Sequence, residues 1–240
     1  MPVQLVLLRH GQSESNSRNL FTGWSDVDLT DEGRAEARHA AVLLRAAGLQ
    51  FDVAFTSWLR RANQTLQLVM EGMDCPEVPV HRSWRLNERH YGQLQGQNKR
   101  TTADRHGADQ VTRWRRSFRT PPPPVEPDDD RHPRNDPRYA SLDPALLPAS
   151  ESLQDALDRV TVCWRESIVP ELIAGHTVLI AAHGNTLRSI VKLVDGLDDD
   201  ETPDFDIPTA APLVYELDED LAPLSRRFLE SSTDADRTRA

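Results

Sequence analysis

Apolar residues in this chain gather into short continuous runs, and stretches of helical spacing separate them. Val3 to Leu8 is almost wholly apolar, which predicts a buried strand, and Gly11 opens a turn directly after it. The polar stretch Gln12 to Asp28 reads as a loop. Thr30 is placed to cap a helix with Asp31 and Glu32 in its first turn. Ala37, Ala40, Ala41, Leu44 and Ala47 form the apolar side of that helix, and Gly48 closes it. Phe51 to Thr56 predicts a second strand, and Ser57 is read as the cap of a helix running through Arg61, Leu66 and Val69. A short strand around Val78 to Val80 and two polar helices, about 101–106 and 109–117, follow.

From Thr120 to Pro148 the pattern breaks, because nine of the seventeen prolines lie there and neither helix nor sheet ladders can form. What comes afterwards is too little for a second core, so the proline-rich segment reads as a covering insertion and not a domain boundary. A long helix is expected from Ser150 or Ser152 to about Ala174, with Leu153, Leu157, Val160, Trp164 and Ile168 on its apolar face and Pro170 kinking its last turns. Thr177 to Ala182 is the clearest central strand, followed by an apolar helix, Leu187 to Val194. An acidic run, Asp195 to Asp206, reads as a solvated connection. Leu213 to Leu217 predicts the last strand. Strands alternating with helices across short links predict an α/β fold with a mostly parallel sheet. One domain is expected over 1–229, with a lid insertion of about 86–150 and a disordered polar tail over 230–240.

Composition narrows the function. The 240 residues carry a net charge of −10, which argues against a nucleic-acid partner bound through overall charge. Cys75 and Cys163 stand far apart without metal-ligand spacing, so no disulfide framework is expected. Neither a leader pattern nor an apolar run of membrane-spanning length is present, and a cytoplasmic protein is expected.

Two strand ends carry histidine followed by glycine, Arg9-His10-Gly11 and His183-Gly184-Asn185. A parallel sheet brings both to one edge, making a phosphate-sized pocket with two imidazoles. Amides of Asn185 and Thr186 at a helix start add anion donors. Arg9 and Arg61 can fork phosphate oxygens, while Arg60 should face solvent. Arg89, Lys99, Arg115 and Arg116 are further cationic candidates, although exposed arginine pairs are often only solvated. There is no Walker-type loop and no convincing carboxylate set for a metal, so guanidinium groups would neutralise phosphoryl charge. Neighbouring Arg9 disfavours a second positive charge and keeps His10 neutral for attack on phosphorus. Glu88 could move a proton at an alcohol oxygen, or it could simply pair with Arg89.

Leu8-Arg9-His10-Gly11-Gln12-Ser13-Glu14-Ser15-Asn16, Leu20-Phe21-Thr22-Gly23-Trp24 and Leu86-Asn87-Glu88-Arg89-His90-Tyr91-Gly92 resemble the cofactor-dependent phosphoglycerate mutases of the histidine phosphatase superfamily. So do Gln93-Leu94-Gln95-Gly96, Trp114-Arg115-Arg116, Asp136-Pro137-Arg138-Tyr139 and Ala181-Ala182-His183-Gly184-Asn185. The resemblance runs from about Val3 to Leu229. It implies a three-layer α/β/α fold and a metal-independent isomerase of glycolysis and gluconeogenesis. That enzyme interconverts 3-phosphoglycerate and 2-phosphoglycerate, is primed by 2,3-bisphosphoglycerate, and works as a homodimer or homotetramer. It also implies that His10 is phosphorylated, that Glu88 donates and accepts the proton, and that Arg9, Arg61, His183 and Asn16 form the phosphoryl pocket. Ser13, Thr22, Gly23, Tyr91, Lys99, Arg115, Arg116, Gly184 and Asn185 would hold the substrate, with Arg89 beside them. Two departures stand out: His132-Pro133-Arg134-Asn135 in place of Tyr-Pro-Gly-His, and Trp58 where a smaller residue is usual.

Overall fold

A computed structural model of the chain describes residues 2–230. In chain order the elements are β1 (Val3–Arg9), α1 (Glu14–Ser17), α2 (Asp31–Ala46), β2 (Val53–Thr56), α3 (Arg60–Met73), β3 (Val80–Arg82), α4 (Lys99–His106) and α5 (Ala108–Arg116). After the insertion come α6 (Leu153–Cys163), α7 (Val169–Ile173), β4 (Val178–Ala182), α8 (Gly184–Asp195), β5 (Pro212–Leu217) and β6 (Pro223–Phe228). One sheet runs β3-β2-β4-β1-β5-β6, and its first four strands are parallel while β5 and β6 are antiparallel.

The continuous apolar runs follow from burial of the sheet on both faces. Leu5, Leu7, Val178 and Ile180 face α6, α7 and α8 through Val160, Ile168, Leu172, Leu187 and Ile190. Val6, Leu8, Leu179 and Ala181 face α2 and α3 through Ala40, Leu44, Leu66 and Val69. These two cores make the helix–sheet–helix layering, and truncating Leu7 or Ile180 to Ala would cost about 2–5 kcal/mol.

Local signals set most boundaries. Thr30 caps α2 by accepting from the Gly33 amide, and Ser152 with Asp155 forms a capping box on α6. The loop after β1 nevertheless contains a short helix, α1, because Ser13 and Asn16 make a capping box inside it. Ser57 does not cap α3. Leu59 stands there without a side-chain bond, and the Asp26 carboxylate reaches across to the Arg60 amide at 2.7 Å. The long helix is interrupted by a π-helical turn, Trp164–Ile168, so that Pro170 falls in the first turn of α7, where a missing N–H is harmless. Helix α8 begins at Gly184, three residues earlier than its apolar pattern indicates. Beyond the strand expected to be last, β6 pairs with β5 and lies exposed along almost its whole length. The proposed tail lies outside the described residues except for Glu230.

The proline-rich insertion holds only three short 3-10 turns, at Pro133–Asn135, Pro137–Tyr139 and Pro144–Leu146. It is nevertheless anchored. Tyr139 sits among Trp24, Trp58 and Trp84, and its ring stacks on Trp58 at 5.4 Å, which gives that unusual tryptophan a structural purpose. His132 is buried and caps the turn that follows it.

Candidate active site

Strands β1 and β4 are neighbours in parallel register, with Arg9 opposite Ala182, so the residues that follow each emerge together. The His10 amide donates to Ala182 O at 3.0 Å. Centroids of the His10 and His183 rings are 5.1 Å apart in an edge-on arrangement. His10 Nδ1 lies 2.7 Å from Gly11 O. A carbonyl only accepts, so the proton sits on Nδ1 and Nε2 keeps its lone pair. Burial above all, then Arg61 and Arg9, holds the His10 pKa well below the usual histidine range. His183 is pushed the same way, by burial first and then by Arg61 and His10. Ser57 Oγ is 2.8 Å from His183 Nε2 and also accepts from the Leu59 amide at 3.1 Å, two residues ahead of the cap position of α3.

Arg61, at the start of α3, spreads its guanidinium across the site. It donates from Nη1 to Ser25 O at 2.9 Å, from Nη2 to Gly23 O at 2.8 Å, and from Nε towards His10 Nε2 at 3.3 Å. Burial brings its pKa down to about 10, against the opposing pull of Glu88 and Asp26, so it stays cationic at neutral pH. Gly23 has φ +54°, and a Cβ there would come within 2.0 Å of Gln95 Oε1, so a larger residue would be strained and would push Gln95 off the Trp24 amide. Asn16 Oδ1 accepts from the Ser13 amide and hydroxyl at 3.1 and 2.9 Å, leaving its NH₂ as the group free to donate to a ligand. Arg60, by contrast, is more than half exposed and pairs with Asp26 and Asp28.

The Glu88 carboxylate accepts from the Asn185 amide (3.2 Å), Asn185 Nδ2 (3.1 Å) and the Arg89 amide (2.7 Å). Its main chain is fixed as well, because Glu88 O accepts from Trp24 Nε1 at 2.5 Å and from Arg159 Nη2 at 3.2 Å. The Arg89 guanidinium goes elsewhere. It donates to Trp114 O and Arg115 O at 3.0 and 3.1 Å, bracing the C-terminal end of α5, and lies 4.6 Å over the Tyr91 ring. The simple Glu88–Arg89 ion pair is therefore not formed. Burial is the largest influence on Tyr91 and would raise its pKa, but the charge of Arg89 together with hydrogen bonds from Arg89 and Asn185 brings the net direction down. Lys99 is pushed down too, by burial and then by Arg115 and Arg9.

These side chains surround a cavity of about 190 Å³. Of the residues singled out from the sequence, Arg9, His10, Asn16, Thr22, Gly23 and Arg61 line it from the first half of the chain. Glu88, Tyr91, Lys99, Arg115, Arg116, Gly184 and Asn185 complete that wall. Three do not line it: Ser13 is buried behind Asn16, Arg89 beneath Tyr91 and α5, and His183 against His10 and Ser57. Six cations, Arg9, Arg61, Lys99, Arg115, Arg116 and Arg188, face two carboxylates, Glu88 and Asp206. An acidic protein thus contains a strongly cationic pocket. Among the described residues no group of three or more His, Cys, Asp or Glu side chains could hold a metal ion.

Two histidines at adjacent strand ends, ringed by guanidiniums, suit transfer of a phosphoryl group through an imidazole nitrogen. The family model described as histidine phosphatase superfamily (branch 1) matches residues 5–137 and 128–228. The chain belongs to the histidine phosphatase superfamily. Solved structures of similar fold include the α-ribazole phosphatase from Shigella flexneri, 22% identical over 95% of this chain and 96% of that one, with a TM-score of 0.68. Another is the mycobacterial glucosyl-3-phosphoglycerate phosphatase in complex with VO3, 24% identical over 94% and 97%, TM-score 0.68. A third is YhfR from Bacillus stearothermophilus, 23% identical over 90% and 91%, TM-score 0.66. No helix among the described residues is long and apolar enough to cross a membrane.

Within this superfamily site, sequence reasoning missed Leu20, Phe21, Arg188 and Asp206. Arg188 had a signal, being the sole charged residue between Gly184 and Val191 of an otherwise apolar helix. The acidic run is also more than a solvated connection. Its carbonyls at Pro203 and Phe205 accept from Arg116 and Arg188, and that of Ile207 just beyond it accepts from Arg9, three arginines of the cavity.

Proposed function

We propose that the protein is a 2,3-bisphosphoglycerate-dependent phosphoglycerate mutase acting in glycolysis and gluconeogenesis. The observation that carries this reading is the Glu88 carboxylate, held by three N–H donors in a wall of the cavity that also contains His10. Transfer between two substrate hydroxyls needs one group that removes a proton from the first and returns it to the second, and a carboxylate with fixed partners can do both. Hydrolysis asks the same of it with water as the acceptor, so the second anion site weighs towards the mutase. Cations contributed by α4 and α5 give a second anionic group of the ligand somewhere to bind, apart from the strand ends.

In this reading His10 Nε2 carries the phosphoryl group. As that group leaves for a substrate hydroxyl, the N–P bond breaks, an O–P bond forms and Glu88 takes the hydroxyl proton. In the reverse sense Nε2 attacks the other phosphate and Glu88 returns the proton to the departing oxygen. Arg9, Arg61, Asn16 and the α8 N-terminus balance the charge on the phosphoryl oxygens, and His183 adds a positive charge if it is protonated beside the dianion. 2,3-Bisphosphoglycerate, when bound, supplies the phosphoryl group that first charges His10, and Arg9, Arg61, Lys99, Arg115 and Arg116 are the residues that would hold its anionic ends. The protein is proposed to act as a homodimer or homotetramer.

The second reading is a phosphatase, favoured by the names of two of the structurally similar proteins, the α-ribazole and glucosyl-3-phosphoglycerate phosphatases. One coupled assay separates the two. With 3-phosphoglycerate, enolase and catalytic 2,3-bisphosphoglycerate, the mutase forms phosphoenolpyruvate far faster than inorganic phosphate, and activity survives EDTA. Release of phosphate without phosphoenolpyruvate would establish the phosphatase instead.

A further inference from the structure

Arg188 lines the cavity but has no part in the chemistry above. It lies one turn into α8 with its side chain 10% exposed, and its Nε donates to Phe205 O at 2.8 Å. A Cβ placed on Gly184 would sit 3.2 Å from Arg188 Nη1 and 3.7 Å from Arg9 Nε. The glycine therefore leaves room for two guanidiniums to approach one another. Among the described residues Nη1 makes no hydrogen bond. Nη2 has one carboxylate near it, Asp206 Oδ1 at 4.0 Å, on a side chain that is 80% exposed and also lines the cavity. The loop bearing Asp206 anchors the neighbouring arginines too, since Pro203 O accepts from Arg116 Nη1 at 2.7 Å and Ile207 O from Arg9 Nη1 at 2.8 Å. Each anchor uses one side of a guanidinium and leaves the other side available.

We propose that Arg188 is an anion-binding residue of this cavity and that Asp206 is its exchangeable partner, displaced when a charged group of the substrate binds. That the incoming group belongs to a phosphoglycerate rests on the mutase reading. The side chain is packed into the wall of the cavity with Nη1 unbonded and Nη2 only loosely partnered, so it can make charge-assisted bonds to an anion brought there at little cost in reorganisation. Its contact with Asp206 is long, and one partner is bathed in solvent, which makes it a weak bond that gives way easily. Burial, and then the like charge of Arg116, lowers the Arg188 pKa, so the two arginines together favour an anion close by. Asp206 in turn places a negative charge among these cations, opposing anion binding and hastening anion release.

Calorimetric titration of the full chain with 3-phosphoglycerate tests this without turnover. Arg188→Gln is expected to weaken Kd by about tenfold or more, the range for losing one charge-assisted contact. Asp206→Asn is expected to tighten it by about two- to fourfold, the range of an exposed pair. In the Arg188→Gln background, Asp206→Asn should have little further effect. An unchanged Kd in Arg188→Gln would overturn the proposal, and so would equal effects of Asp206→Asn in both backgrounds. Asp206 is exposed, so Asp206→Asn keeps the test decisive even if Arg188→Gln folds poorly, and Arg188→Lys supplies a milder variant. A protein with the expected Kd pattern that forms no 2-phosphoglycerate would keep this assignment and lose the mutase reading. One that forms 2-phosphoglycerate with Kd indifferent to Arg188 would do the reverse.

Discussion

His10 donates its Nδ1 proton to the carbonyl of Gly11, the next residue, across 2.7 Å. That short local bond settles which nitrogen can attack and turns the lone pair of Nε2 towards Arg61. Burial, then Arg61 and Arg9, hold the ring's pKa well below the usual histidine range. Labelling of His10 by 2,3-bisphosphoglycerate should therefore not fall off with a midpoint near 6.5, the ordinary histidine value. Acid-labile incorporation measured from pH 8 down to pH 5.5 checks this, with His10→Ala as the variant that incorporates nothing. A titration centred at pH 6.5 would contradict it.

Glu88→Gln keeps the shape of the carboxyl group but cannot accept a proton. Mutase turnover is expected to drop by about 10²–10⁴-fold, the range for a lost general acid–base. Labelling of His10 from 2,3-bisphosphoglycerate should persist, at a reduced rate. If turnover stays within a few fold of the parent, the carboxylate is not the proton carrier.

Among the contacts that fasten the insertion to the Glu88 segment is a buried one, in which Asn87 Nδ2 donates to Tyr139 OH at 2.9 Å. A closing lid that excludes water should protect phospho-His10 from hydrolysis. Tyr139→Ala removes both the hydroxyl and the ring stacked on Trp58. Phosphate release from labelled enzyme should then speed up several fold, while Tyr139→Phe has a smaller effect. Identical release rates in all three proteins would remove the lid role.

His90 lies buried beneath the insertion, and burial first, opposed by Glu151, lowers its pKa to about 4. In the unfolded chain the same ring titrates near 6.5. Between these values the unfolded state binds more protons, so stability present above pH 6.5 is lost as pH falls towards 4. The loss attributable to His90 is on the order of 3 kcal/mol. Urea midpoints at pH 7 and pH 4.5 should therefore converge more in His90→Gln than in the parent. Equal acid sensitivity would show that His90 is not held neutral.

Much of the fold was legible because both faces of β1 and β4 are covered, which leaves unmistakable apolar runs. Strand β6 was not legible: Pro223 to Phe228 is mostly exposed, and its place comes from the hairpin with β5, not from any side-chain pattern. Ser57 illustrates a local signal misplaced by two residues, since the cap position falls at Leu59 while the serine hydroxyl accepts from the Leu59 amide and meets His183. At the site, the two strand-end histidines could be placed from parallel pairing alone. The Glu88 partner could not, because Arg89 is adjacent in sequence while Asn185 arrives only through folding.

Strand β1 lies between β4 and β5, with Leu5 opposite Val178 on one side and Tyr215 on the other. Both partners are made late. At roughly 5–20 residues per second, β4 follows β1 from the ribosome after roughly ten to thirty-five seconds. During that interval one of the most apolar segments of the chain has no neighbour to pair with, and His10 at its end has no pocket. Synthesis thus delivers His10 first and the strands that complete its surroundings much later, which leaves both edges of β1 open to self-association until β4 arrives.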